Sequence, residues 1–362
     1  MRKSFYFHDL DWTLLAIALG ISFIGILEIY STTAQTHLTH QWVHQVFWVG
    51  MGCCFAIVLS SIDYHLILDQ TPWLYSLTIL GLTALLLDGS RRGGARRWIH
   101  VAGFTLQVSE FAKLVIIVLV AAELSRTRTK SVTWWQLGKV GMLTAVPMLL
   151  VALEPDLGTA LTFLPIVVAG VFVVGIRRRQ VGLIAVVGLL ALPVGWHFLR
   201  PYQRQRLETF FHPGQNKQGA SYQLTETKIA IGSGGVWGKG LGNGTQSQLG
   251  FIPVSHADAI FAAYAEEEGF VGTLLALALY LALLFRLLDG AQQAADRAGA
   301  LLLVTFSAIL FFQIAVNVGM MIGLFPITGI PLPLMSQGGS AALSVFLGLG
   351  LAMSVKKQRF VN

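Results

Sequence analysis

YQLTETKIAIGSGGVWGKGLGNGTQSQLGFIPVSHADAIFAAYAEEEGFVG, Tyr222 to Gly272, is the longest part of this 362-residue chain that a bilayer would not readily take up. It carries seven glycines between Gly232 and Gly244 and brings an aspartate, Asp258, to the threshold of a hydrophobic run. Most of what surrounds it is apolar. At 54% hydrophobic and 12% charged residues, against about a quarter charged in soluble domains, the chain reads as an integral membrane protein.

Working outward, ten mostly apolar windows of about 15 to 25 residues predict an all-α polytopic membrane fold. They are Trp12 to Tyr30, Val43 to Ser60, Trp73 to Leu87, Ser109 to Leu124, Val140 to Leu153, Leu161 to Ile176, Val181 to Leu199, Ala259 to Leu287, Ala300 to Phe325 and Ala341 to Val355. The first is too long, and lacks the small-residue cleavage site, for a removable signal peptide, so it is expected to stay as a span. No repeat or hydrophilic domain interrupts the series. The expectation is a single membrane domain, residues 1–362, with an extracytoplasmic loop at about 200–258 between helices seven and eight.

Adjacent Cys53 and Cys54 point apart on a helix and suggest neither a disulfide nor a thiolate metal site. The charge of +7 would fit nucleic acid only if its basic residues shared one face. Sorted by the positive-inside rule, Arg2, Lys3, Arg126, Arg128, Lys130, Arg177 to Arg179, Arg286, Arg297, Lys356, Lys357 and Arg359 fall on one side, which places both termini in the cytoplasm. The opposite side keeps Arg91, Arg92, Arg96 and Arg97 in a short loop, and Arg200, Arg204, Arg206, Lys217, Lys228 and Lys239 in the long one. Long loops translocate regardless of charge, but four arginines within seven residues beside two spans should favour retention inside. Outward basic clusters at a membrane surface suggest an anionic ligand, with phosphate the natural candidate.

Several motifs carry chemistry. In QVSEFAK, Gln107 to Lys113, Glu110 and Lys113 share one helix face and can be either a structural ion pair or cavity-lining charges. In EPDLGTAL, Asp156 is either the N-cap of the following helix or a cavity residue. In PYQRQRLETFFHP, Arg206 is either part of an interfacial anchor or a phosphate contact. GSGGVWGKG fails the P-loop spacing, because Ser233 stands at the first glycine position and Gly240 where Ser or Thr should follow the lysine. Its glycines permit close backbone approach to a ligand, or simple loop flexibility. In HADAIFAAYAEEEG, Asp258 lies at the outer surface, solvated enough to act as a general base, with His256 as a rival. Glu266 and Glu267 lie roughly 12 Å deeper along the helix and need water or a basic partner such as Lys113.

These motifs, with GARRW at Gly94 to Trp98, GTQSQL at Gly244 to Leu249 and NVGMMIGLFPITGIPLPLMSQGGS at Asn317 to Ser340, resemble the SEDS family (shape, elongation, division and sporulation) over nearly the whole chain. GTQSQL is closer to the elongation branch, GLGN before it to the division branch. The resemblance implies a ten-helix peptidoglycan glycosyltransferase that polymerises lipid II at the outer face of the bacterial cytoplasmic membrane during elongation. Implied partners are a class B penicillin-binding transpeptidase and other elongation-complex membrane proteins, with no nucleic acid. Asp258 then maps onto the catalytic aspartate, and Glu110, Lys113, Arg97 and Arg206 onto the family's charged motif positions. Departures from the family pattern are Val108 for proline, Ala257 and Ala259 flanking Asp258, the third acid Glu268, and Gln337 for tyrosine; none removes a charged site residue.

The implied chemistry is an inverting transfer in which Asp258 takes the proton from an attacking 4-hydroxyl and undecaprenyl pyrophosphate leaves. Arg97, Arg206, Lys228, Lys239 or a divalent cation (Mg or Mn) would meet the developing charge, with no tightly bound cofactor. A lipid II flippase, a noncatalytic scaffold and a division-type polymerase are the rival readings.

Overall fold

The computed structural model describes residues 10–34, 38–88, 90–92, 95–101, 104–127, 129–211, 219–252 and 254–358; within these, nothing is described of the side chains of residues 88, 90–92, 95–97, 100, 101, 104, 191, 192, 194, 198 and 220. It is predominantly helical, and each of the ten apolar windows is largely helical, although Leu161 to Ile176 straddles two helices and Ala300 to Phe325 runs three residues past the end of its helix. Helices α1 (Trp12–Thr33), α2 (Gln41–Ser60), the short α3 (Tyr64–Asp69) and α4 (Thr71–Asp88) open the chain. Strands β1 (Ser90–Arg92), β2 (Ala95–Val101) and β3 (Phe104–Gln107) follow, and β3 runs directly into α5 (Val108–Ser125). Next come α6 (Trp134–Leu153), α7 (Leu157–Leu161), α8 (Phe163–Val174) and α9 (Arg178–Phe198). The long connection contains α10 (Pro201–Phe211), α11 (Ala220–Ser233) and α12 (Thr245–Gln248). Helices α13 (Ile260–Gln292), α14 (Arg297–Ile322) and α15 (Gly339–Gln358) close it.

Among the described residues, eight helices are long and apolar enough to cross a membrane, α7 and α8 counting as one, Leu157–Val174. The other two windows are helical but differ in kind. The apolar part of α4, Thr71–Leu87, is shorter, and α5 carries Glu110, Lys113 and Glu123. The chain is a multi-pass membrane protein.

Helix ends are set by local chemistry: Asp11 caps α1, a Thr133 and Gln136 capping box starts α6, and Asp296 caps α14. Among the eight candidate spans α14 and α15 are the most enclosed, packed against α5, α13 and α2 through Ile116, Phe306, Ile309 and Phe346. By contrast α9 is exposed along nearly all its length. Side chains facing lipid gain nothing from a hydrophobic drive, so close packing of the inner helices holds the bundle.

The all-α expectation needs one amendment. The arginine-rich segment before α5, read from sequence as a loop, forms an antiparallel sheet in the order β1-β2-β3, with Trp98 opposite Gln107 and Val101 opposite Phe104. Trp98, Ile99 and Thr105 suit a pleated surface, and a segment this short and charged could not have been a span.

Candidate active site

Asp258 lies just before α13, Gln107 just before α5, Asp156 just before α7, and Gly338 just before α15. All four helix starts meet at one end of the bundle, around two cavities. The first, about 210 Å³, is lined by Asp156, Asp258, Gly329 and the α10 residues Tyr202, Gln203 and Arg206. The second, about 250 Å³, shares Asp156, Asp258 and Gly329 and adds Trp98, Gln107, Glu110 and Gln337. Asp258 stands where they join.

Gly329 fixes that junction. Its φ is +74°, and a Cβ there would lie 3.2 Å from Asp258 Oδ2 and 3.9 Å from Arg206 Nη1. The carboxylate and the guanidinium therefore both come within 4 Å of one point, a space only glycine leaves open. Arg206 also stacks over Tyr202, 5.9 Å from the ring centroid, and the Tyr202 hydroxyl donates to the Pro155 carbonyl at 2.6 Å. These contacts tie α10 to the turn before α7 and hold Arg206 in the first cavity.

Asp156 is both of the things its sequence allowed. Oδ1 accepts from the Thr159 amide at 3.1 Å, capping α7, while Oδ2 accepts from Gln107 Nε2 at 3.3 Å on the cavity wall. Glu110 and Lys113 pair at 2.8 Å, both almost fully buried, and Glu110 Oε2 accepts from Ser344 at 3.3 Å. Glu110 faces the second cavity and Lys113 is its counter-ion behind the wall. Arg97 is on β2 beside Trp98; its side chain lies outside the described set. His256 lines neither cavity, and burial pushes its imidazole below the usual range.

The loop lysines are elsewhere. Lys228 is exposed and covers Gly323 at the C-terminal end of α14. Lys239 donates to Glu266 at 2.6 Å and to Thr245 at 2.8 Å. Glu266 also accepts from the Gln246 and Ser247 amides, at 2.9 and 3.1 Å. Glu267 accepts from Ser31 Oγ at 2.6 Å, the Gly242 amide at 2.9 Å and Gln248 Nε2 at 3.2 Å. The buried acids thus find the glycine-rich loop, and not Lys113, as their partner.

That loop's glycines serve the fold. Helix α13 breaks at Gly269, φ +65°, which leaves backbone groups on both sides without helical partners. The loop takes them up: the Lys239 and Gly240 amides donate to the Glu266 and Glu267 carbonyls at 3.1 and 2.8 Å, and the Phe270 and Val271 amides donate to the Gly235 and Val236 carbonyls at 2.9 and 3.1 Å. A Cβ at Gly238 would fall 2.1 Å from the Glu267 carbonyl oxygen. The close approach predicted for a ligand is made by α13 itself.

Residues that reading the sequence left without a role are Gln107, Gly329 and Gln337. The signal was the Pro and Gly density of FPITGIPLP, Phe325 to Pro333, which marks an irregular segment between two apolar helices. Among the described residues, no three His, Cys, Asp or Glu side chains gather as metal ligands.

The comparisons agree with this architecture. Residues 9–360 match the cell cycle protein family of FtsW, RodA and SpoVE. The peptidoglycan glycosyltransferase MrdB of Escherichia coli K12 is 37% identical over 97% of this chain and 94% of its own length. RodA of Treponema pallidum, also a peptidoglycan glycosyltransferase, is 30% identical over 97% of this chain and 98% of its own. Among solved structures, a peptidoglycan synthase complex that coordinates polymerisation and crosslinking superposes with TM-score 0.84 at 31% identity, covering 98% of this chain and 99% of that one. The rod shape determining protein RodA of Thermus thermophilus superposes with TM-score 0.72 at 29% identity, covering 97% and 98%. The chain belongs to the FtsW, RodA and SpoVE family.

Proposed function

We propose that this chain is a peptidoglycan glycosyltransferase of the elongation type, polymerising lipid II with Asp258 as general base. The observation that carries it is the placement of Asp258 at the junction of two cavities, one with Arg206 and the other with Glu110. A polymerase joins two substrates, and two adjoining cavities that share Asp258 support that reading.

The Asp258 carboxylate takes the proton of a sugar 4-hydroxyl as that oxygen forms its bond to the anomeric carbon of the second unit. The bond from that carbon to pyrophosphate oxygen breaks, its electron pair leaves with the pyrophosphate, and the configuration inverts. Arg206 meets the developing charge. Four helix N-termini at the rim add partial positive charge, which offsets the two aspartates. An apolar groove of about 730 Å³ is lined by α3, α4, α5 and α15, among them Leu66, Leu74, Leu77, Phe111 and Leu114, and reaches Val108, the residue after Gln107 of the second cavity. It suits a polyprenyl chain lying in the membrane while its head group enters the site.

With both termini in the cytoplasm, the site opens on the outer face, where a class B penicillin-binding transpeptidase would crosslink the strands. A position among helix ends argues against a flippase, whose site belongs near the midplane. The test supplies lipid II to detergent-solubilised protein. Glycan strands from the parent and none from Asp258→Ala support polymerisation; a flippase or scaffold makes none at all, and parental strands from Asp258→Ala exclude this base.

A further inference from the structure

We infer that Asn317 is a positioning residue for the reaction, an inference that rests on the polymerase reading above. Three consecutive carbonyls leading to the base each accept from a donor on a later segment of the chain. His256 accepts from the Gln337 amide at 3.0 Å, Ala257 from Ser336 Oγ at 2.7 Å, and Asp258 from Asn317 Nδ2 at 2.9 Å. The first two donors belong to the segment that itself forms the cavity wall, so they move with it. Asn317 differs because it stands on α14, one of the most enclosed helices of the bundle.

Its side chain is fully buried, and the same Nδ2 also donates to the Ile330 carbonyl at 2.8 Å. Ile330 follows Gly329, the residue that faces Asp258 Oδ2. One amide group therefore sets the spacing between the base and the wall opposite it, and ties both to α14. The amide's orientation follows from chemistry, since both neighbours are carbonyls and only an NH2 group can satisfy two acceptors. Its Oδ1 has no hydrogen-bond partner among the described residues. An aspartate of the same shape could not replace it.

Asn317→Leu keeps the branching of the side chain and removes both donors, and Asn317→Asp keeps the shape and reverses the group's role. Displacing a reacting group by about 1 Å costs roughly a hundredfold in rate. Both variants should lose kcat by about that factor while KM for lipid II stays within about threefold, because Arg206 and Glu110 are untouched. Ser336→Ala, which frees the Ala257 carbonyl and the Leu332 amide but leaves the Asp258 carbonyl bonded to Asn317, should lose only about fivefold. Ser307→Ala, on the same helix with its hydroxyl bonded to the Leu303 carbonyl, should keep parental kinetics.

Hydrogen exchange separates this inference from the polymerase reading. In Asn317→Leu, amides of residues 257–262 should exchange at least tenfold faster while those of α5 do not change. Unchanged exchange there, parental kcat, or a loss confined to KM would each overturn the positioning role. A parent chain that makes no glycan strands would instead remove the polymerase reading, with exchange still deciding whether Asn317 holds Asp258.

Discussion

Asp258 and the pair Glu266 and Glu267 are eight and nine residues apart on one stretch of chain, yet they make opposite kinds of acidic centre. Around Glu266 and Glu267 the loop closes completely: Lys239, backbone amides and the hydroxyls of Ser31 and Thr245 meet the carboxylate oxygens, and both side chains are inaccessible to solvent. Asp258 is only partly buried and looks into two cavities. Acid density alone would have favoured the first centre as the chemical one. Empty space beside the carboxylate, which substrate can enter, favours the second.

The sharpest way to break this comparison is to neutralise each centre. Asp258→Asn should lower polymerisation by about two to four orders of magnitude and leave thermal unfolding in detergent near the parent value. Glu266→Ala should do the reverse. It leaves Lys239 without its counter-ion and opens the α13 break, so stability should fall by about 3 kcal/mol while kcat of the folded fraction holds. A Glu266→Ala protein that is stable but inactive would place chemistry in the wrong centre here.

A smaller effect tests the space itself. Gly329→Ala puts a methyl group against Asp258 Oδ2 and imposes a left-handed φ on alanine. The backbone term alone is about 1 kcal/mol, and with the displaced carboxylate kcat should fall roughly tenfold or more, read in the same strand-forming assay.

The smallest effect belongs to a third polar cluster, at the start of α14. His65 is flanked by Asp63 at 2.8 Å and Asp296 at 3.0 Å. Burial opposes its charge, but hydrogen bonds to the two carboxylates raise the imidazole above its usual range. A raised folded value means that the stabilisation is complete below the unfolded value near pH 6.5 and is lost as pH rises through the folded one. Thermal unfolding should therefore separate parent from His65→Gln more at pH 6 than at pH 9. With His65 half exposed, screening keeps the difference below about 1 kcal/mol. Polymerisation per folded molecule should not follow this titration, because the cluster is at the opposite end of α14 from Asn317.

Hydropathy and charge determined much of this protein before any coordinate. Span length is a local property set by bilayer thickness, so apolar windows read singly predicted the helices, and the placement of Asp258 at the head of one followed directly. Local pairing was legible too: Glu110 and Lys113, three apart on a helix, do meet. What the sequence could not decide is which distant groups share a space. Arg206 approaches Asp258 because Tyr202 ties α10 to the turn before α7, and Gly329 leaves room between them. Lys239, equally basic and nearer to Asp258 in the chain, turns instead to Glu266 because α13 breaks at Gly269 and the glycine loop fills the break. Those choices belong to backbone hydrogen bonds unsatisfied in one segment and supplied by another, and only the tertiary structure brings the two together.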